Sequence, residues 1–278
     1  MGVLLALAAS LSWGAGDFLG GVASRRANAI TVVALTMTAG LAFVSVAVLA
    51  AWDSPPPTGD LLAAVGAGVG GAVGLGGLYR GMAVGAMGVV APISALAALV
   101  PFVVGVAQGE RPGALQIVGV VAALAGVALV SREPREAGAP AARAAGVGLA
   151  LAAAIGFGLY FVLMDAAADE NAPWAVLVAR ATASVLGIAT VALLRLPFRV
   201  PRSLVPIVLL IGLLDVSANV LFGLATSRGL LSVVSVLASL YPVVTVALAW
   251  IVLHERTSRV QRAGAAAALA GAALITAG

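Results

Sequence analysis

The sequence predicts an all-α integral membrane protein with ten transmembrane helices, arranged as two inverted five-helix repeats. Three observations support this fold class. The chain of 278 residues is 62% hydrophobic and only 9% charged, which is far outside the composition of water-soluble globular proteins. Apolar segments follow one another along the chain with short polar breaks between them, and the pattern of the first half recurs in the second half.

The apolar segments are each long enough to cross a bilayer. A transmembrane helix needs about 20 predominantly apolar residues, and proline, polar and charged residues mark where each segment stops. We therefore expect a multi-pass protein of the cell membrane, and the bacterial inner membrane in particular. The predicted spans are 2–23, 29–52, 61–84, 87–107, 113–131, 146–168, 173–194, 203–226, 230–253 and 261–277.

The internal repeat divides the chain at its longest polar connection. Residues 2–14 lie over 146–158 at an offset of 144, and residues 116–129 lie over 261–274 at an offset of 145. Each half has an odd number of spans, so the second half must enter the membrane in the opposite orientation. Inverted repeats of this kind recur in secondary transporters. The predicted domains are a first repeat at 1–131, a connecting loop at 132–145 and a second repeat at 146–278.

The last part of each half resembles a known family. Residues 237–275, “LASLYPVVTVALAWIVLHERTSRVQRAGAAAALAGAALI”, and more weakly residues 93–130 are similar to the EamA-type repeat of the drug/metabolite transporter superfamily. The resemblance implies two inverted five-helix repeats around a central cavity, lined mainly by spans one to four and six to nine. It also implies movement of small metabolites, often amino acids or other polar solutes, usually outward.

The arginines predict an orientation in the membrane. Twelve lie in loops after odd-numbered spans, whereas only Arg111 and Arg228 lie after even-numbered spans. The positive-inside rule then places the odd loops in the cytoplasm and both termini outside, although the family resemblance favours termini inside. The odd-loop arginines are Arg25, Arg26, Arg80, Arg132, Arg135, Arg143, Arg195, Arg199, Arg202, Arg256, Arg259 and Arg262.

A carboxylate stands at the centre of span eight, in “GLLDVSANVLFG” at residues 212–223. Asn219 lies one helical turn after Asp215, so both side chains share a face. A central aspartate costs about 2.5–3.5 kcal/mol on insertion scales, and its side chain should therefore face protein or water. The sequence leaves two main interpretations open, a proton-coupling or cation-binding carboxylate and a fixed ion pair with Arg180. A simple polar lining of the cavity is a third.

Two further charges lie within predicted spans. Arg180 in span seven could clamp a substrate carboxylate, or it could neutralise Asp215 or Asp17. Asp17 in span one could be a second acid at the cavity mouth, or a residue near the span end that reaches interfacial water. In contrast, the repeated pairs Glu110-Arg111 and Glu255-Arg256 indicate a duplicated structural feature, either helix-end charges or gate latches.

Aromatic residues supply candidate cavity walls, because an aromatic face with a polar tip suits organic solutes. Trp13 and Tyr160 occupy the equivalent spans one and six, and Tyr241 precedes a proline in span nine. We predict that these three residues line the cavity. Trp250, near the end of span nine, is better explained as an interfacial anchor.

These features predict a secondary transporter of small polar or amphipathic metabolites that works by alternating access, with efflux and proton coupling as further expectations. The expected partners are a small-molecule solute, protons and the lipid bilayer, and a homodimer is left open. Neither nucleic acid, a cofactor nor a metal is expected, since the chain has no cysteine and the single histidine His254 cannot form a multi-histidine site. The alternatives are an intramembrane enzyme that uses Asp17 and Asp215, and a non-transporting membrane scaffold.

Overall fold

The computed structural model describes residues 1–24, 26–51, 54–84, 94–130, 140–168, 171–253 and 258–278, and these residues are helical apart from short connections. Short 3-10 turns stand at Ala95–Ala98 and Arg202–Leu204. The α-helices are α1 Gly2–Ser24, α2 Ala29–Ala51, α3 Thr58–Val84, α4 Leu99–Ala107, α5 Ala114–Val130, α6 Pro140–Ala168, α7 Ala172–Leu193, α8 Val205–Thr226, α9 Leu231–Ala238, α10 Tyr241–Leu253 and α11 Arg259–Ala277.

The helices confirm the membrane class. Seven segments of the described chain are long and apolar enough to span a bilayer, with α9 and α10 together forming one of them. Shorter apolar helices, Leu96–Ala107 and Ala114–Leu129, stand where two further spans were predicted. The last predicted span corresponds to α11, whose first turn carries Arg259 and Arg262.

The helix of span six begins before the predicted span. α6 starts at Pro140 and so extends through residues 140–145 of the predicted connection, while its candidate membrane span is Gly146–Ala168, as predicted. Proline is favourable in the first turn of a helix, where its missing N–H has no partner in any case, and the alanines that follow extend the helix readily. The rest of the predicted loop, 132–139, lies outside the described residues.

Close glycine contacts reveal how the two halves pack. A Cβ added to Gly119 in α5 would lie 2.7 Å from the carbonyl oxygen of Gly271 in α11. A Cβ added to Gly126 would lie 2.6 Å from the carbonyl oxygen of Gly264. Gly264 and Gly271 are the repeat counterparts of Gly119 and Gly126 at the offset of 145, so the two contacts are one contact repeated. This is the pattern that a two-fold axis between the halves produces.

The same two-fold relation places the first helix of each half, α1 or α6, against the interrupted span of the other half. A Cβ on Gly14 in α1 would lie 2.7 Å from the carbonyl oxygen of Tyr241, and a Cβ on Gly158 in α6 would lie 3.0 Å from that of Ala97. Both pairs of counterparts are separated by 144 residues. Small residues permit this close approach of backbones, and it brings Tyr241 beside α1.

Each half contains an interrupted span. The helix of span nine stops at Ala238 and restarts at Tyr241, immediately before Pro242. In the first half a 3-10 turn precedes α4, whose third residue is Pro101. A proline has no N–H for the helix and clashes with the carbonyl four residues earlier, which explains why each interruption lies just before a proline. The break predicted at Pro92 lies outside the described residues.

Candidate solute site

An ion pair joins α7 and α8 in the interior. The guanidinium of Arg180 places Nη2 2.7 Å from Oδ2 of Asp215, and Arg180 is only 8% exposed. Of the alternatives left open by the sequence, this conformation contains the ion pair. A buried pair is balanced between desolvation and attraction, so its presence alone is weak evidence of a stabilising role.

The first half of the chain also contributes to the ion pair. Nη1 of Arg180 is directed at the sulfur of Met37 in α2. The Trp13 side chain in α1 interacts with the Asp215 carboxyl group as well. The pair is therefore held by helices from both repeats, and a relative movement of the repeats would change its surroundings.

Asn219 supports the carboxylate from its own helix. Its amide nitrogen donates to the backbone carbonyl oxygen of Asp215, 2.5 Å away, and the amide also interacts with the Asp215 carboxyl group. Asn219 is 1% exposed, so these interactions fix its orientation. The predicted sharing of one helical face by Asp215 and Asn219 agrees with this geometry.

Four aromatic rings form a cluster beside the charges. The ring centroid of Trp13 lies 5.9 Å from Phe161, 6.0 Å from Phe222 and 6.4 Å from Tyr241. Phe161 and Phe222 are 4.9 Å apart and tilted, within the range of favourable aromatic pairs. Thus Trp13 contacts the Asp215 carboxylate with its polar edge and this cluster with its ring.

Tyr160 connects the aromatic cluster to the guanidinium. Its ring centroid lies 5.8 Å from that of Phe161, and its phenol group interacts with Arg180. Tyr160 is 8% exposed. The structure therefore brings the two predicted wall residues Tyr160 and Trp13 to opposite partners of the same ion pair.

Asp17 lies at the edge of this assembly. Its side chain is exposed, yet it lies close enough to Asp215 for electrostatic interaction. Since Asp17 follows Trp13 by one helical turn, the two share a face of α1. Both interpretations of Asp17, a second acid at the cavity mouth and a residue near the span end that reaches interfacial water, stay predictions.

Sequence reasoning missed three members of the site, namely Met37, Phe161 and Phe222. Phe222 lies two helical turns after Asp215, so the spacing that linked Asp215 to Asn219 could have identified it. Phe161 directly follows the predicted Tyr160. For Met37 the sequence contains no comparable signal, because its contact crosses between the repeats.

An apolar groove lies apart from the charged site. It has a volume of about 510 Å³ and lies between α3 and α6. Its lining is almost entirely apolar and includes exposed residues such as Val69 and Ile155, as expected for a surface that faces lipid. Among the described residues, no group of three or more His, Cys, Asp or Glu side chains is placed to hold a metal; His254 and Glu255-Arg256 lie outside them.

The model of the EamA-like transporter family matches residues 1–132 and 144–277. This chain belongs to the EamA-like transporter family. The EamA resemblance predicted from the repeat sequences is thereby confirmed, as are the transmembrane and transporter classes that follow from it. One crystal structure is similar to this EamA-like protein with a TM-score of 0.81 at 22% identity, covering 99% of this chain and 98% of that chain. At this identity the similarity supports the fold. None of the curated proteins compared matches the chain.

Proposed function

We propose that this EamA-like protein is a secondary transporter that exports small polar or amphipathic metabolites in exchange for protons. The observation that carries the proposal is the ion pair of Arg180 and Asp215, which is held by side chains of both repeats. Charged residues within spans are rare and typically mark solute or ion pathways. An inverted-repeat architecture can expose such a central site to either side in turn.

Partner exchange gives the ion pair a role in binding. A carboxylate on the solute can replace Asp215 at the guanidinium of Arg180 through a forked contact, while an ammonium group on the solute can replace Arg180 at Asp215. When both exchanges occur together, every buried charge stays neutralised, which avoids the large penalty of an unpaired charge. The neighbouring rings of Trp13 and Tyr241 suit the apolar part of an amphipathic solute.

Proton coupling follows from competition for one carboxylate. Protonation of Asp215 removes the charge that holds Arg180, and so does a solute cation that binds Asp215. If proton and solute exclude one another there, each favours a different state of the transporter. The result is exchange of solute for protons across the membrane.

In the enzyme alternative, Asp17 and Asp215 would share a proton, but here Asp215 is engaged by Arg180. The homodimer stays a prediction.

The test is solute-driven proton movement in vesicles that contain the purified protein, across a panel of amino acids, nucleosides, sugars and organic cations. We compare the wild type with Asp215→Asn and with the control Asp60→Asn, which makes the same chemical change at the start of α3. We expect at least one solute to move protons through the wild type and the control but not through Asp215→Asn. A folded Asp215→Asn protein with unchanged uptake and pH dependence would refute the coupling role, and no transport of any solute would refute the function.

A further inference from the structure

The start of α9 receives its helix cap from the other repeat. The first N–H groups of a helix have no partner within the helix, and the side chain of the N-cap residue Leu230 makes no capping hydrogen bond. Instead, the backbone N–H of Leu231 donates to Oε1 of Glu110 over 2.6 Å, and that of Ser232 donates to Oε2 over 3.0 Å. A carboxylate is favourable at this positive end of the helix.

The local sequence after α4 is suited to this placement of Glu110. Gly109 has a φ of +102°, a conformation that glycine adopts without strain. The N–H of Glu110 then donates to the carbonyl of Gly105 over 3.0 Å, and the N–H of Gly109 to that of Val106 over 3.1 Å, which is a Schellman motif. A Cβ at Gly105 would collide with the Glu110 carboxyl group. Both glycines therefore help to fold this carboxylate back towards α9.

α9 links the capped end to the solute site. All of its residues from Leu231 to Ala238 are buried, and eight residues of α-helix extend over about 12 Å. Tyr241 follows after a two-residue break and lies beside Trp13. A shift of α9 at the Glu110 end would therefore displace the aromatic cluster at the other end of the same segment.

The start of α1 packs closely against the capped end, whereas the later part of α1 has an open face. A Cβ on Gly2 would lie 2.9 Å from the carbonyl oxygen of Arg228, so α1 begins in close contact with the connection between α8 and α9. At the other end of α1, Asp17 is exposed, and a Cβ on Gly20 or Gly21 would meet no atom of the described residues within 4 Å. The two ends thus differ in this conformation.

We propose that Glu110 is an inter-repeat gate latch, whose two hydrogen bonds to α9 hold the site closed towards the end where α1 begins. Opening towards that end requires these bonds to break, and the freed α9 then moves together with Tyr241. The latch rests on the proposed alternating-access function. By the arginine count, the connection between α4 and α5 that carries Glu110 is expected on the outer side of the membrane.

The absence of cysteine from the chain makes a labelling test direct. Val234→Cys introduces one thiol at a residue that is 1% exposed and lines a cavity of about 250 Å³ beside Gly2 and Arg228. The rate of its reaction with a membrane-impermeant maleimide, added from that side of sealed vesicles, reports opening at this end. Glu110→Ala should raise this rate about tenfold, the scale of a change in equilibrium of one to two kcal/mol. Glu110→Gln, which keeps one acceptor, should have an intermediate effect.

Two further variants separate a latch from a simple helix cap. Arg111→Ala alters the adjacent exposed residue and should leave the labelling rate unchanged. Leu230→Asp, added to Glu110→Ala, supplies a cap from within the helix, because Leu230 has the extended backbone of an N-cap residue. It should restore the melting temperature while the labelling rate stays high.

The labelling assay tests the latch independently of the transport function, because it needs no solute. An unchanged rate in Glu110→Ala overturns the latch, even if the wild type transports a solute. A return to the wild-type rate in the double variant also overturns it, since Glu110 would then be only a cap. Failure to transport any solute overturns the proposed function, while a raised labelling rate still establishes that Glu110 ties the two repeats together.

Discussion

Removal of one charge of the Arg180–Asp215 pair should destabilise the protein more than removal of both charges. Asp215→Asn leaves a buried guanidinium without its anion, and Arg180→Met leaves a buried carboxylate without its cation. Loss of one partner from a buried pair costs about 3–5 kcal/mol. The side chains are 9% and 20% exposed, so some screening remains and we expect about 3 kcal/mol for each single change.

The double variant, which combines Asp215→Asn with Arg180→Met, is the informative one, because it contains no unpaired charge. Replacing a buried pair by neutral side chains of similar size is often neutral or stabilising. Thermal unfolding of the purified protein measures the difference. At about 2–4 °C per kcal/mol for a chain somewhat shorter than this one, each single variant should lose about 6–12 °C, and the double variant should recover most of that loss.

Comparison of the two single variants with the double variant measures the energetic coupling between the two charges. Asp60→Asn, at the start of α3 and away from the site, serves as the matched control and should melt close to the wild type. Charges that interact directly give strongly non-additive changes, whereas independent ones add. If the double variant loses the sum of the two single losses, the pair has no energetic coupling and its assignment as the central interaction is wrong.

Three further changes probe the packing around the site. Phe222→Ala should lower the free energy of unfolding by about 3–5 kcal/mol, because Phe222 is fully buried; a thermal shift below about 2 °C would contradict this. Gly126→Leu should prevent close approach of α5 and α11 and abolish a folded, monodisperse protein, whereas Gly148→Leu should be tolerated, because a Cβ there meets no atom within 4 Å in the described part of the chain. Trp13→Phe retains a ring but loses the donor to Asp215, so KM for a transported solute should rise several-fold while Tm changes little; an unchanged KM would remove Trp13 from the site.

The predicted site residues illustrate where local patterns are sufficient. The cost of a charge in a span singled out Asp215 and Arg180, and helical spacing placed Asn219 beside Asp215. Both arguments use only the residue type and its position along one helix. The alternatives for Asp215 could not be separated in this way, because an ion pair and a free carboxylate have the same local sequence.

The aromatic and gating contacts depend on distance in space. Phe161 and Phe222 are ordinary apolar residues of their helices until the packing of α6 and α8 brings their rings together. Glu110 stood out as part of a repeated pair, yet its partners Leu231 and Ser232 are more than a hundred residues away and are bound through backbone groups. Backbone donors carry no side-chain signature, so sequence patterns do not reveal them.

The sequence by itself determined the membrane class, the positions of the apolar helices and the internal repeat. It also singled out the few polar residues that are costly to place within a membrane span. Each of these follows from the local free energy of placing a residue in hydrocarbon. Only the tertiary structure decided that Arg180 pairs with Asp215, that rings from four helices lie beside the pair, and that Glu110 caps a helix of the opposite repeat. These contacts arise when two halves of similar sequence cross in space, and the angle and depth of that crossing are set by the packing of the whole molecule.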